Sequence, residues 1–144
     1  MLARDTAGSL DREASRPRPV PMVLVALALM LGLDILWLGI VGRPLYESEL
    51  GALMAREVNL VAAGLFYAFY IAVIILYAVR PSASWRGAAL RGAQLGFVAY
   101  TTYELTNWAV IEGWGALIVP IDILWGVALT ATVSAGSYAA SAPR

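Results

Sequence analysis

The sequence predicts an all-α membrane protein: a four-transmembrane-helix bundle with a short amphipathic outer helix between spans one and two. Three observations carry this expectation. Of the 144 residues 60% are hydrophobic, and the mean hydropathy is +0.73, above the roughly 45–50% apolar content of soluble domains. The apolar residues gather into four runs, each close to the roughly 20 residues a bilayer requires. Arginine is divided unequally among the connections, which orients the runs.

Residues 1–19 form a polar head. Arg4, Arg12, Arg16 and Arg18 alternate with Asp5, Asp11 and Glu13, and Pro17, Pro19 and Pro21 oppose a helix. This composition predicts a disordered cytoplasmic tail. The apolar run that follows is too long for the core of a signal peptide and contains Asp34, so it reads as a retained anchor. Span one is expected over 20–41, span two over 59–79 (ending at Arg80-Pro81), span three over 87–111 and span four over 118–138. Pro120 is acceptable in the first turn of the last span. The four-helix domain thus covers 20–140, with a short tail at 141–144.

Between spans one and two, Tyr46, Leu50, Leu53 and Met54 fall on one face of residues 43–57. Pro44 suits a helix start and Glu47 an early turn. The pattern predicts a short amphipathic helix on the outer membrane surface. The tail, Arg80, Arg86, Arg91 and Arg144 lie on one side, against only Arg43 and Arg56 on the other. By the positive-inside rule this places both termini in the cytoplasm.

Composition narrows the chemistry. There is no cysteine and no histidine, which removes disulfides, thiolate sites and the commonest general base. Net charge is zero, so nothing suggests nucleic-acid binding. No phosphate loop or nucleotide fingerprint is present, so no cofactor is expected, and no metal site follows from any known ligand spacing.

The informative residues are acids in apolar surroundings. Asp-Ile-Leu-Trp occurs twice, at residues 34–37 and 122–125, and Glu104 lies among Tyr100, Tyr103 and Asn107. A carboxylate at hydrocarbon depth is costly and reads by default as functional. With about 1.5 Å of rise per residue, the alternating span directions put all three acids in the outer half of the membrane. Asp34, Glu104 and Asp122 are therefore the candidate catalytic groups, able to hold a neutral acid beside an ionised one for proton exchange. Trp37 and Trp125 sit one turn from the aspartates. Tyr100, Tyr103, Glu104 and Asn107 share a face, and Tyr67, Tyr70, Ile74 and Tyr77 form a stripe on span two. Trp37, Tyr70, Tyr103, Asn107 and Trp125 are the candidate substrate-binding residues. Arg43 joins them as a cation that snorkels towards Asp122. The competing reading makes the acids interior glue between helices, a role worth only about 0.6 kcal/mol per intramembrane hydrogen bond. Ala88, Gly92 and Gly96, and separately Gly126, Thr130 and Ser134, make small-residue edges that read as packing seams.

Three motifs resemble one bacterial family. Leu-Asp-x-x-Trp-Leu-Gly spans Leu33 to Gly39, Tyr-Glu-Leu-Thr-Asn spans Tyr103 to Asn107, and Asp-Ile-x-Trp-Gly spans Asp122 to Gly126. In this order they resemble domain-of-unknown-function family 2177, predicted four-helix membrane proteins, in which Asp is the commoner acid at the position of Glu104. The resemblance implies an integral inner-membrane protein without an assigned activity.

Two functions fit. In the first, an acidic and aromatic pocket in the outer half of the membrane binds, or modifies by acid–base chemistry, an amphiphilic, lipid-like molecule. The alternative is a small proton- or cation-coupled transporter, or an accessory subunit of a membrane complex. Membrane lipids are the expected partners, with a homo-oligomer or larger membrane complex possible. Polar residues continuing through the inner half would favour transport; a closed inner half would favour the amphiphile.

Overall fold

The computed structural model describes residues 18–141. Most of the expected N-terminal tail and C-terminal tail lies outside the described residues. Those described fold into helices joined by short turns, as the sequence predicts.

Helix α1 covers Pro19–Leu36 and starts on a proline whose fixed φ suits the first helical position. It continues as a wider π turn over Trp37–Val41. Helix α2 follows over Arg43–Leu50, with Pro44 in its first turn, and closes into a tight turn at Gly51–Leu53. Leu45, Tyr46, Glu49 and Leu50 are half-buried, while Arg43, Pro44, Glu47 and Ser48 are exposed. The helix is shorter than the 43–57 expected, and Leu53 and Met54 beyond it are exposed.

Helix α3 covers Leu60–Val73 and continues as a π segment over Ile74–Val79. Its cap is Asn59, whose Oδ1 accepts from the Ala62 N–H at 3.0 Å, satisfying one of the orphan donors at a helix start. Helix α4 covers Trp85–Val110, capped by Ser84 Oγ, which accepts from the Gly87 N–H at 3.1 Å. A short loop turns at Gly113, whose φ of 82° is comfortable only for glycine. Helix α5 then covers Ile118–Ser141.

Among the described residues, three continuous helical runs are long and apolar enough to cross a membrane: Pro19–Val41, Leu60–Val79 and Ile118–Ser141. At 26 residues α4 is long enough, about 39 Å. Arg86, Arg91, Gln94 and Glu104 keep it less apolar than the others.

The closest packing is between α4 and α5. A Cβ placed on Gly92 would strike Ser134 Oγ and the Thr130 carbonyl. One on Gly96 would strike the Gly126 carbonyl, and one on Gly126 the Tyr100 ring. The two small-residue edges are thus one seam. It brings the backbones close where no hydrophobic effect drives association. Helix α1 lies along α5 through a buried layer of Met22, Ala26, Met30, Leu129 and Val133.

Helix α3 behaves differently along its length. Tyr70, Ile71, Ile74, Ala78 and Val79 are buried, and the π segment packs on both α4 and α5. The first half is open: Leu60 is 79% exposed and Phe69 70%. At the far end of the bundle, Arg18 N–H donates to the Ser141 carbonyl at 3.3 Å. Residues 18 and 141 are therefore neighbours at the end opposite α2.

Candidate functional site

Each acid reaches the α2 end of the bundle by the direction of its helix. Asp34 stands in the last turn of α1, Glu104 in the last two turns of α4, and Asp122 in the second turn of α5. All three are buried, Glu104 completely.

The two Asp-Ile-Leu-Trp copies meet. In a helix the tryptophan lies one turn from its aspartate, and α1 and α5 run antiparallel. Trp37 and Trp125 consequently stack, with centroids 4.6 Å apart and planes at 6°. The π turn starting at Trp37 and the tight Gly42 carry the chain straight into α2. A Cβ on Gly42 would press on the Trp37 ring at 3.0 Å. This turn aims Tyr46 inward. The Tyr46 hydroxyl donates to Asp122 Oδ1, and Trp37 Nε1 donates to the Tyr46 oxygen at 3.3 Å. Burial, reinforced by the hydrogen bond to Asp122 and its charge, pushes the Tyr46 phenol well above its ordinary pKa. Tyr46 is therefore held as a protonated donor.

Asp34 is held separately: Tyr67 of α3 donates to its Oδ2 at 3.1 Å. Tyr70 pairs with Thr130 Oγ1 at 2.9 Å. On the far side of Asp122 lies Glu104. Its Oε2 accepts from Trp114 Nε1 at 3.0 Å, its carboxyl adjoins that of Asp122, and its Oε1 has no hydrogen-bond partner among the described residues. Two carboxyl groups side by side are compatible with a proton held between them.

Between the splayed first half of α3 and the rest of the bundle is a cleft of about 550 Å³. Asp34 and Asp122 contribute to its lining, with Tyr46, Tyr67, Tyr70, Tyr100 and Tyr103. The remaining wall is apolar: Leu38, Val58, Ala63, Phe66, Phe69, Ala99 and Trp125. Among the described residues no basic side chain lines it. Glu104 is not in the wall but sealed behind Asp122. Among the described residues no three acids are arranged to hold a metal ion together.

The sequence-predicted residues divide accordingly. Asp34, Asp122, Tyr70, Tyr103 and Trp125 line the cleft, and Trp37 backs Trp125. Tyr103 is 54% exposed and sets its ring edge-on to Trp114, 5.8 Å away. Asn107 is half-buried one turn beyond Tyr103 and outside the lining. Arg43 does not snorkel to Asp122. Its Nε donates to Glu47 Oε1 at 2.7 Å on the exposed face of α2, because a carboxylate four residues along the same helix is the nearer partner. Sequence reasoning missed the roles of Tyr46, Tyr67 and Trp114. It also missed Glu49, whose Oε2 accepts from the Leu117 N–H at 3.2 Å and ties α2 to the α4–α5 loop.

Helices of this length and apolarity, with acids buried only where aromatic hydroxyl and indole donors meet them, define an integral membrane protein. Residues 20–139 match the family described as "Predicted membrane protein (DUF2177)", and the chain belongs to that family. No curated protein and no solved structure matches it.

Proposed function

We propose that this is a four-span inner-membrane protein, with both chain ends in the cytoplasm, that binds an amphiphilic molecule in the outer half of the bilayer. The cleft beside α3 carries the reading. It presents two carboxyl groups among aromatic hydroxyls, and an apolar flank that an exposed helix face continues. A headgroup fits the first and a hydrocarbon chain the second. In this reading α4 is the fourth span, its arginines at the cytoplasmic end, and α2 lies at the outer surface.

Buried apolar side chains favour the amphiphile over transport. From Asp34 towards the opposite end, the space between α1, α3 and α5 is filled by Met30, Ile74, Met22, Leu129 and Val133. The buried Thr130, Ser134 and Ser137 that continue on α5 carry no charge. An ion relay needs titratable groups along its path, and among the described residues this half buries no acidic or basic side chain. The Asp122–Glu104 pair supports acid–base chemistry on the bound headgroup, with Tyr46 as a fixed donor.

The test compares lipids and metabolites of a strain lacking the gene after complementation with wild type, Asp34→Asn, Glu104→Gln or Asp122→Asn. The reading expects Asp34→Asn and Asp122→Asn to reproduce the deletion profile. Full rescue by all three variants removes the acids from any functional role.

A further inference from the structure

We infer that the cleft selects a cationic amphiphile: an ammonium head with no accompanying anion, on an apolar tail. The inference rests on the amphiphile reading and specifies its ligand. Among the described residues, Asp34 and Asp122 are the only acidic or basic side chains in the lining. Of the two cations that flank the site in sequence, Arg43 is turned outward and paired with Glu47, and Arg56, two residues before Val58, is exposed and outside the lining. A phosphate or carboxylate head would enter beside two carboxyl groups with no compensating cation, which a water-poor site penalises heavily.

The aromatic wall points the same way. Phe66 stacks near Tyr70 with centroids 5.5 Å apart and lies 5.2 Å from the Tyr67 ring. Tyr100 and Trp125 face them from α4 and α5. Ring faces attract organic cations, and aromatic cages are a recurring solution for ammonium groups. A sugar head is also uncharged and stacks on aromatic rings, but it carries many hydroxyls. Asp34 and Asp122 already accept from Tyr67 and Tyr46, and most of the wall is hydrocarbon. Most sugar hydroxyls would go unpartnered. An ammonium, quaternary or not, is held by charge and ring faces and leaves few hydrogen-bonding groups to satisfy.

The test uses the full-length protein in nanodiscs of zwitterionic lipid, with empty discs as background. Hexadecyltrimethylammonium, hexadecyl sulfate and hexadecyl maltoside are titrated, with tryptophan fluorescence as the readout. Saturable binding of the ammonium probe alone is expected. Asp34→Asn or Asp122→Asn weakens it by at least about tenfold, as removal of one partner from a buried charge pair does. Phe66→Ala weakens it without altering the preference for charge. A two-chain ammonium lipid built into the disc is then compared with the single-chain probe added from water. Competition by the lipid marks a membrane source, and its absence marks a solute. If the sulfate or the maltoside binds as tightly at a Phe66-dependent site, the cation inference fails while the amphiphile reading survives. Ammonium binding that both aspartate variants leave intact overturns the inference as well. If no probe saturates above empty discs, both fail.

Discussion

Gly96→Ala tests whether the α4–α5 seam sets the register of the site. The added Cβ would collide with the carbonyl of Gly126 and sit 2.9 Å from Thr130 Oγ1. The carbonyl belongs to a helical backbone and cannot rotate away. To restore ordinary contact, the helices must part by roughly an ångström. A gap of 0.5–1 Å forfeits about a quarter to a half of the dispersion energy of each contact it opens. Overpacking of this kind costs about 1–3 kcal/mol, and a backbone collision belongs at the upper end, about 2–3 kcal/mol. Gly64→Ala is the control: nothing lies within 4 Å of its added Cβ, and the gain in helix propensity is at most about 1 kcal/mol. Reversible unfolding in mixed micelles by SDS, followed by circular dichroism, measures both. Gly96→Ala within about 0.5 kcal/mol of wild type, a typical benign surface change, would refute the seam. So would an equal loss in Gly64→Ala.

Three further outcomes follow from the site. Trp114→Phe leaves Glu104 without its indole donor and buried, and should lower stability by about 1–3 kcal/mol in the same assay; an unchanged midpoint would show that water reaches Glu104. Tyr46 keeps its proton in the folded protein above the ordinary tyrosine pKa of about 10, because burial and Asp122 raise it. Its contribution to stability is then complete below pH 10 and lost as pH rises above that. Tyr46→Phe should remove one late phenolate from the alkaline absorbance titration and flatten the alkaline loss of stability; an early, ordinary phenolate lost instead would contradict the burial. Glu49→Ala removes the acceptor for the Leu117 N–H, so amide exchange at Leu117 should accelerate severalfold while Gly87, capped by Ser84, stays as it was.

Much of the scaffold is legible in the sequence because it depends on local periodicity. Helix boundaries fell within a few residues of the apolar runs, and the small-residue edges of α4 and α5 became the seam they predicted. The level of the three acids follows from helix direction alone, and the fold brings them to one end. What remained hidden depends on where loops fold back. Trp114 lies outside any helical period, in the turn after α4, so nothing in its spacing announces a bond to Glu104. Tyr46 belonged to a face assigned to the membrane surface, but the π turn before α2 rotates that face towards Asp122. Arg43 was misplaced because a long-range attraction was favoured over Glu47, one helical turn away. The cleft itself could not be read, since it arises from α3 leaning away over half its length, a property of packing between helices rather than of any one of them.

The contact between Arg18 and Ser141 has a practical consequence for topology. Because these two residues touch, whichever compartment holds one must hold the other. A single compartment-sensitive reporter attached at either end therefore answers for both, and two fused reporters that disagreed would mean that α1 does not run beside α5.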